Sequence, residues 1–596
     1  MSTVPDRSEI DREYLWDLES IYATDEEWEA AYEAVGEHIE ELRSYEGRVT
    51  DDAETVQSVL EQYEMVMREV STIAAYARMR RDEDTTDQTY QALTTRSRAL
   101  VSEAQSAASF VEPELQELDR EDLAGMIDSV PELAEYEHYF DDVLRTKPHT
   151  RSAEIENLLA DLGEVVGGTS EVYTMLTNAD MEFSTVEDDD GEPVEITLSN
   201  FTKLQRRSDR EFRRDVYEAF YDEWGTVRNA VAKAYENSVK ADVKYARARN
   251  YDTAREASLD GPNIPEEVYD TLVETVRSEL ETLHRHADVK RRSLGVEELR
   301  MWDLYMPIAE GESPEVPYEE ATEHVIEAVA PLGEEYQERV AEGIDSRWVD
   351  VYETKGKQSG AYSGGTYDTQ PYILMNYHDD VESMYTLAHE LGHSLHSQLT
   401  SEHQPYVYSS YEIFVAEVAS TVNEALLTYH LLDTVEDEEF RLHVLNEFLE
   451  RFRSTLYRQT MFADFEHRAH EVIEEGGALT PDRLDELYGD LKAEFYEPAA
   501  VDDRIAREWM RIPHFYRAYY VFQYSTGISA AVALTRRIRE EGEEAAEQYV
   551  DFLKRGSRGY PLELLSEAGI DMRTTEPIES AIAVYDEQLA ELERLI

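Results

Sequence analysis

Residues 385–399 read YTLAHELGHSLHSQL. Whether this stretch is a helix that merely packs, or a helix that holds a metal, decides the kind of fold around it. Its flanks, YTLA and LHSQL, are apolar or small, so a helix here is substantially buried. Buried imidazoles need partners, and a metal ion supplies one. His389 and His393 are four residues apart and share one helix face, so both can bind a single Zn²⁺. Glu390 is rotated by about 100° from His389 and can reach the attacking water instead of the ion. His396 lies near the same face but roughly 10 Å along the axis from His389, which suits a structural or supporting role.

Two histidines leave a zinc site short of a ligand. The longer H-E-x-x-H-x-x-G-x-x-H pattern fails, because its last position is Leu399. A better source is YEIFVAEVASTVNEALLTYHLL, residues 411–432, a strongly apolar helical pattern that carries Glu417 and Glu424. Acidic groups inside an apolar helix are costly unless paired. Glu417 sits deepest in the run, and a second helix crossing the first would bring it to the metal as a His₂Glu site with an open fourth position. Glu424 would then orient a ligating imidazole. Glu412, at the helix start, suits a solvent-facing place.

The rest of the chain bounds what such a site serves. Its 596 residues allow two or more lobes. A net charge of −75 excludes nucleic acid and anionic membranes as partners, since both need clustered Lys and Arg. Spread over the whole length, that charge points to adaptation to concentrated salt, where screening relieves self-repulsion. Hydrophobic residues at 41% and aromatics at 10% are enough for real cores, so disorder is not expected. With no cysteine there is no disulfide, thiolate zinc site or catalytic thiol. The opening residues lack an apolar signal segment, and no uncharged run approaches the roughly 20 residues a bilayer needs. The expectation is a soluble, cytoplasmic protein.

Long helical patterns dominate, as in AETVQSVLEQYEMVMREVSTIAAYARMRR (53–81), QTYQALTTRSRALVSEAQSAASFV (88–111) and SAEIENLLADLGEVVGGTSEVYTML (152–176). Helix starts are signalled at Thr480-Pro481 and at Pro265. MEFSTVEDDDGEPVEITL (181–198) predicts a hairpin turning at Asp190-Gly191, and marks the join between an N-terminal helical lobe, 1–185, and a catalytic domain, 186–596. SGAYSGGTYDTQPYILMNY (359–377) predicts a small sheet beside the motif helix. Its strand at Tyr372–Met375 is a candidate edge for pairing with a substrate backbone.

Several stretches in order, REYLWDLESIYATDEEW, WDLYMP, SGAYSGG, PYILMNY, LAHELGHSLHS, FVAEVASTVNE and IPHFYRAYYVFQYSTGISAA, resemble the oligoendopeptidase F branch of the thimet oligopeptidase zinc peptidases. The resemblance spans nearly the whole chain. It implies a mainly α fold, with two helical lobes around a deep substrate channel. It implies a zinc endopeptidase acting on short oligopeptides, with one Zn²⁺ per chain held by His389, His393 and Glu417, and with Glu390 as general base and acid. It also implies that His514 and a tyrosine from HFYRAYYVFQY, either Tyr520 or Tyr524, stabilise the oxyanion. Two other readings remain open at this point: a zinc exopeptidase on a similar scaffold, and a non-enzymatic helical scaffold with a vestigial site. The intact Glu390 speaks against the second, since a purely structural site needs no general base.

Overall fold

The computed structural model describes residues 4–309 and 313–596. Helices dominate, as the periodicity predicts. α1 (Ala53–Glu83) begins where the Asp52 carboxylate accepts the Thr55 N–H and buries Val56, Val59, Val66, Val70, Ile73 and Ala77 along one stripe. α2 (Gln88–Ala108) returns against it under an Asp87 cap. The Thr480 hydroxyl accepts the Arg483 N–H ahead of the helix Pro481–Phe495, and Pro265 stands at the cap position of Glu266–Ser278. The turn at Asp190-Gly191 joins β1 (Val186–Glu187) to β2 (Pro193–Val194) as an antiparallel hairpin, with Gly191 at φ 79°. Among the described residues no helix is long and apolar enough to cross a membrane.

Packing groups the chain into two compact units, each drawn from three separated stretches. The first comprises Met1–Lys147, Ser313–Thr434 and Leu534–Ile570. Its sheet consists of β3 (Val349–Tyr352), β4 (Tyr362–Gly364) and β5 (Tyr372–Tyr377) in the order β3-β5-β4. β5 runs parallel to β3, with Ile373 opposite Val349, and antiparallel to β4, with Ile373 opposite Ser363. Tyr372 and Leu374 join Trp16, Trp28, Tyr76 and Leu133 in one core, so the sheet is anchored to the N-terminal helices. This corrects the expected pairing strand. Both edges of β5 are hydrogen-bonded within the sheet, so Tyr372–Met375 cannot take a peptide; β4, bonded on one side only, can.

The second unit comprises Pro148–Glu312, Val435–Ala533 and Asp571–Ile596. Its longest helix, Arg210–Ala248, packs against Arg458–Glu474 and Pro481–Phe495. One buried acid in this unit, Glu508, is paired several times over. The Glu508 carboxylate, at 0% exposure, accepts from Arg458, Tyr488 and Lys492 at 2.7 Å each. Removing one partner of such a group costs about 3–5 kcal/mol.

Candidate metal centre

The motif helix, α3 (Val381–His403), starts where the Asp380 carboxylate accepts the Ser383 N–H at 2.8 Å. Leu387, Ala388, Leu391, Leu395 and Leu399 are buried, which turns the histidine face toward α4 (Ile413–Thr434). The two helices cross very closely at Gly392. A Cβ on that residue would stand 2.6 Å from the Ser420 Cα and 2.7 Å from the Ala419 carbonyl oxygen. Two further bonds pin the crossing: Asn423 Nδ2 donates to the Ala388 carbonyl at 3.2 Å, and the Tyr385 and Thr428 hydroxyls meet at 2.7 Å.

This crossing brings His389, His393 and Glu417 together, with one ligand atom of each within 4.8 Å of the others. His389 Nε2 and His393 Nε2 are 3.1 Å apart. Glu417 Oε2 lies 3.6 Å from the first and 3.7 Å from the second. The Glu424 carboxylate accepts from His389 Nδ1–H at 2.5 Å, so the neutral form of the ring carries its proton on Nδ1 and offers the Nε2 lone pair to the cluster. Glu412 is exposed. His396 stands apart from the group: it is 1% exposed, and its ring stacks 3.7 Å from that of Tyr411.

The electrostatics follow from burial. Burial pulls the His389 pKa down, but the Glu424 hydrogen bond and charge outweigh it, with Glu390 and Glu417 adding to the rise. Burial takes His393 down to about 3, helped by His389 and His396, so its imidazole is neutral. Glu390 is 7% exposed. Burial raises its carboxyl to about 7, with Glu417 adding, while His389 and the Ser363 backbone N–H pull the other way.

His514, Tyr520 and Tyr524 belong to the second unit and cluster there. The His514 ring lies parallel to that of Tyr520 at 6.0 Å and 6.2 Å from that of Tyr524. The two hydroxyls are 3.2 Å apart. Tyr516 and Tyr519 turn elsewhere: Tyr516 packs on Tyr173 at 4.8 Å, and Tyr519 is buried against Tyr269 at 5.6 Å. Tyr519 has φ 52°, a conformation held by its N–H donating to the buried Glu466 at 2.7 Å. Sequence reasoning missed Glu466, Gly392 and Glu390's neighbour Ser363. The signal for Glu466 was an acid directly after the largely apolar run MFADF (461–465); Gly392 had no local signal beyond its size.

Comparison with known proteins places these features in a family. Residues 203–584 match the profile of peptidase family M3, and residues 114–183 match that of oligopeptidase F. Oligopeptidase PepF from Bacillus subtilis is 44% identical over 594 residues, 100% of this chain and 89% of that protein. The crystal structure of oligoendopeptidase-F from Enterococcus faecium superposes with a TM-score of 0.75 at 36% identity, covering 96% of this chain and 99% of that one. A solved structure from Chlamydophila abortus covers 100% of both chains at TM-score 0.91 and 32% identity. The protein is therefore a metallopeptidase. More narrowly, the chain belongs to peptidase family M3, in its oligopeptidase F branch.

Proposed function

We propose that the chain is a zinc-dependent endopeptidase that cleaves internal bonds of short oligopeptides. The observation that carries this reading is the convergence of His389, His393 and Glu417 with the buried Glu390 beside them. The donor set suits zinc: two imidazoles and one carboxylate. Ligands about 2.0–2.2 Å from a tetrahedral ion stand roughly 3.3–3.6 Å from one another, close to the separations of 3.1, 3.6 and 3.7 Å in the cluster. Two imidazole nitrogens facing each other also need a cation or a proton between them.

A zinc ion held there supplies Lewis acidity, lowering the pKa of a water and polarising the scissile carbonyl. Glu390 accepts the proton of the attacking water and passes it to the leaving amine nitrogen. Its pKa of about 7 is near the operating pH that a proton shuttle needs, and a nearby divalent charge draws it lower. Glu424 holds His389 in the tautomer that offers Nε2. His514, with Tyr520 or Tyr524, donates to the oxyanion. A peptide blocked at both ends is the deciding substrate: cleavage that a chelator abolishes and zinc restores supports an endopeptidase, whereas strict dependence on a free terminus supports an exopeptidase.

The tyrosine assignment has its own test. Tyr520→Phe and Tyr524→Phe each delete one hydroxyl without opening a cavity. The variant that removes the oxyanion donor should lose about 10²–10³ in kcat with a smaller change in KM. His514→Ala should behave alike. An effect confined to KM would assign the segment to uniform substrate binding.

The division into a lobe of 1–185 and a catalytic domain of 186–596 is part of the same proposal, as a division of the sequence and not of the two packed units, which cut across it. It is supported by the gap between the two matching profiles, which end at 183 and begin at 203. Adaptation to concentrated salt is supported by the charge of −75, and a cytoplasmic setting is part of the same proposal. The Debye length grows from about 3 Å at 1 M to about 30 Å at 0.01 M, so Tm should fall as salt drops from molar to millimolar. A flat Tm refutes the adaptation.

A further inference from the structure

In a chain with 131 acidic residues, Arg78 is a cation without a carboxylate. Among the described residues it makes no ion pair or hydrogen bond, and it is exposed. Its position is nonetheless defined. The guanidinium carbon sits 5.3 Å from the centre of the Tyr362 ring. Its Nη2 is 3.1 Å from where a Cβ on Gly364 would stand, so any side chain there would crowd it. The Tyr362 platform is itself fixed, because its hydroxyl donates to Asp82 at 2.8 Å, and Asp82 is 2% exposed.

Tyr362 and Gly364 are the ends of β4, the strand whose outer edge is unpaired. The middle residue, Ser363, is the one whose backbone N–H acts on Glu390, and its hydroxyl meets that of Ser394 on α3 at 2.8 Å. A cavity of about 540 Å³ within the first unit is lined jointly by Arg78, Ser363, Gly364, His393 and Glu417. Among its described lining residues Arg78 is the one Lys or Arg and Glu417 the one carboxylate. Most other walls carry hydroxyls and amides. The cavity wall therefore carries two of the candidate metal ligands, His393 and Glu417, and an unpaired, fork-shaped cation, along the edge of one short strand.

We propose that Arg78 is a specificity-determining residue that receives a carboxylate of the peptide substrate, either its free C-terminus or an Asp or Glu side chain. The proposal rests on the metal centre being the catalytic site. A guanidinium pairs with a carboxylate through two parallel N–H bonds, a geometry that selects that group over an amide. On a surface of strongly negative charge, acidic peptides are otherwise repelled. One unpaired arginine on the wall of the same cavity offsets this locally and fixes the register of the substrate along β4.

The test uses the full-length, zinc-loaded chain and paired peptides. One pair differs only in a C-terminal acid or amide. The other carries Glu or Gln at one place, moved stepwise across the cleaved bond. Wild type should prefer the carboxylate member of at least one pair by about tenfold in kcat/KM, expressed mainly in KM. Arg78→Gln should bring that ratio close to one, and Arg78→Lys, which keeps the charge and loses the fork, should fall between. Collapse of the acid-to-amide ratio assigns the C-terminus; collapse of the Glu-to-Gln ratio assigns a side chain. Should Arg78→Gln fail to fold, the lowered ratio of Arg78→Lys carries the test. Ratios unchanged in folded variants, or an equal loss on both members of every pair, overturn the proposal and leave Arg78 as a support of Tyr362. A wild-type chain that cleaves none of the peptides sinks the endopeptidase reading instead.

Discussion

Glu390→Gln should keep the metal and the fold and lose about 10²–10⁴ in kcat, the usual contribution of a positioned acid–base group. The amide has the shape of the carboxyl and can still accept from the Ser363 N–H that acts on Glu390. It has no basic oxygen to take the proton of the attacking water, and none to return to the leaving amine. Glu390 is not among the three residues whose ligand atoms converge, so zinc content should stay at the wild-type level. Two measurements on one preparation decide the matter: bound zinc after dialysis, and turnover of a blocked peptide. Equal zinc with near wild-type turnover would remove Glu390 from its role. Loss of zinc together with turnover would instead make it a structural support of the cluster.

Much of this site is legible in the chain because it rests on local periodicity. His389 and His393 share a face through the pitch of one helix, and Glu417 draws attention as an acid in an otherwise apolar helix. What the periodicity does not carry is how two helices meet. The closeness of the crossing depends on Gly392 lying over Ser420, a relation between residues that no local pattern links. Sheet order is equally non-local. PYILMNY announces a strand, but only its neighbours on both sides make it central and leave β4 as the edge. The tyrosines of HFYRAYYVFQY look alike in sequence. Position in the fold separates Tyr520 and Tyr524, near His514, from Tyr516 and Tyr519, which pack on Tyr173 and Tyr269. The same holds for the interleaved units, in which residues far apart in sequence share one core.

The closeness of that crossing makes metal affinity sensitive to two quite different substitutions. Glu417→Ala removes the carboxylate whose Oε2 lies 3.6 and 3.7 Å from the two imidazole nitrogens. Altering a partner that merely orients a ligand costs about 10–100-fold in metal affinity, so loss of a ligand should cost more than that. Gly392→Ala touches no ligand atom. Its new methyl would stand 2.6 Å from the Ser420 Cα, a backbone contact that yields only if α3 and α4 move apart. Overpacking of this kind costs about 1–3 kcal/mol. It should lower Tm and weaken zinc together, because Glu417 is less than one turn before Ser420 and moves with it. Glu412→Ala, on the exposed residue just ahead of α4, should change neither. The measurement is zinc retained after dialysis against a graded chelator, with Tm on the same samples. If Glu417→Ala keeps stoichiometric zinc, the third ligand lies elsewhere, and Glu424, already bonded to His389, is the next residue to test. If Gly392→Ala lowers Tm but leaves zinc affinity intact, the ligand geometry tolerates the altered crossing, and the close approach serves stability alone.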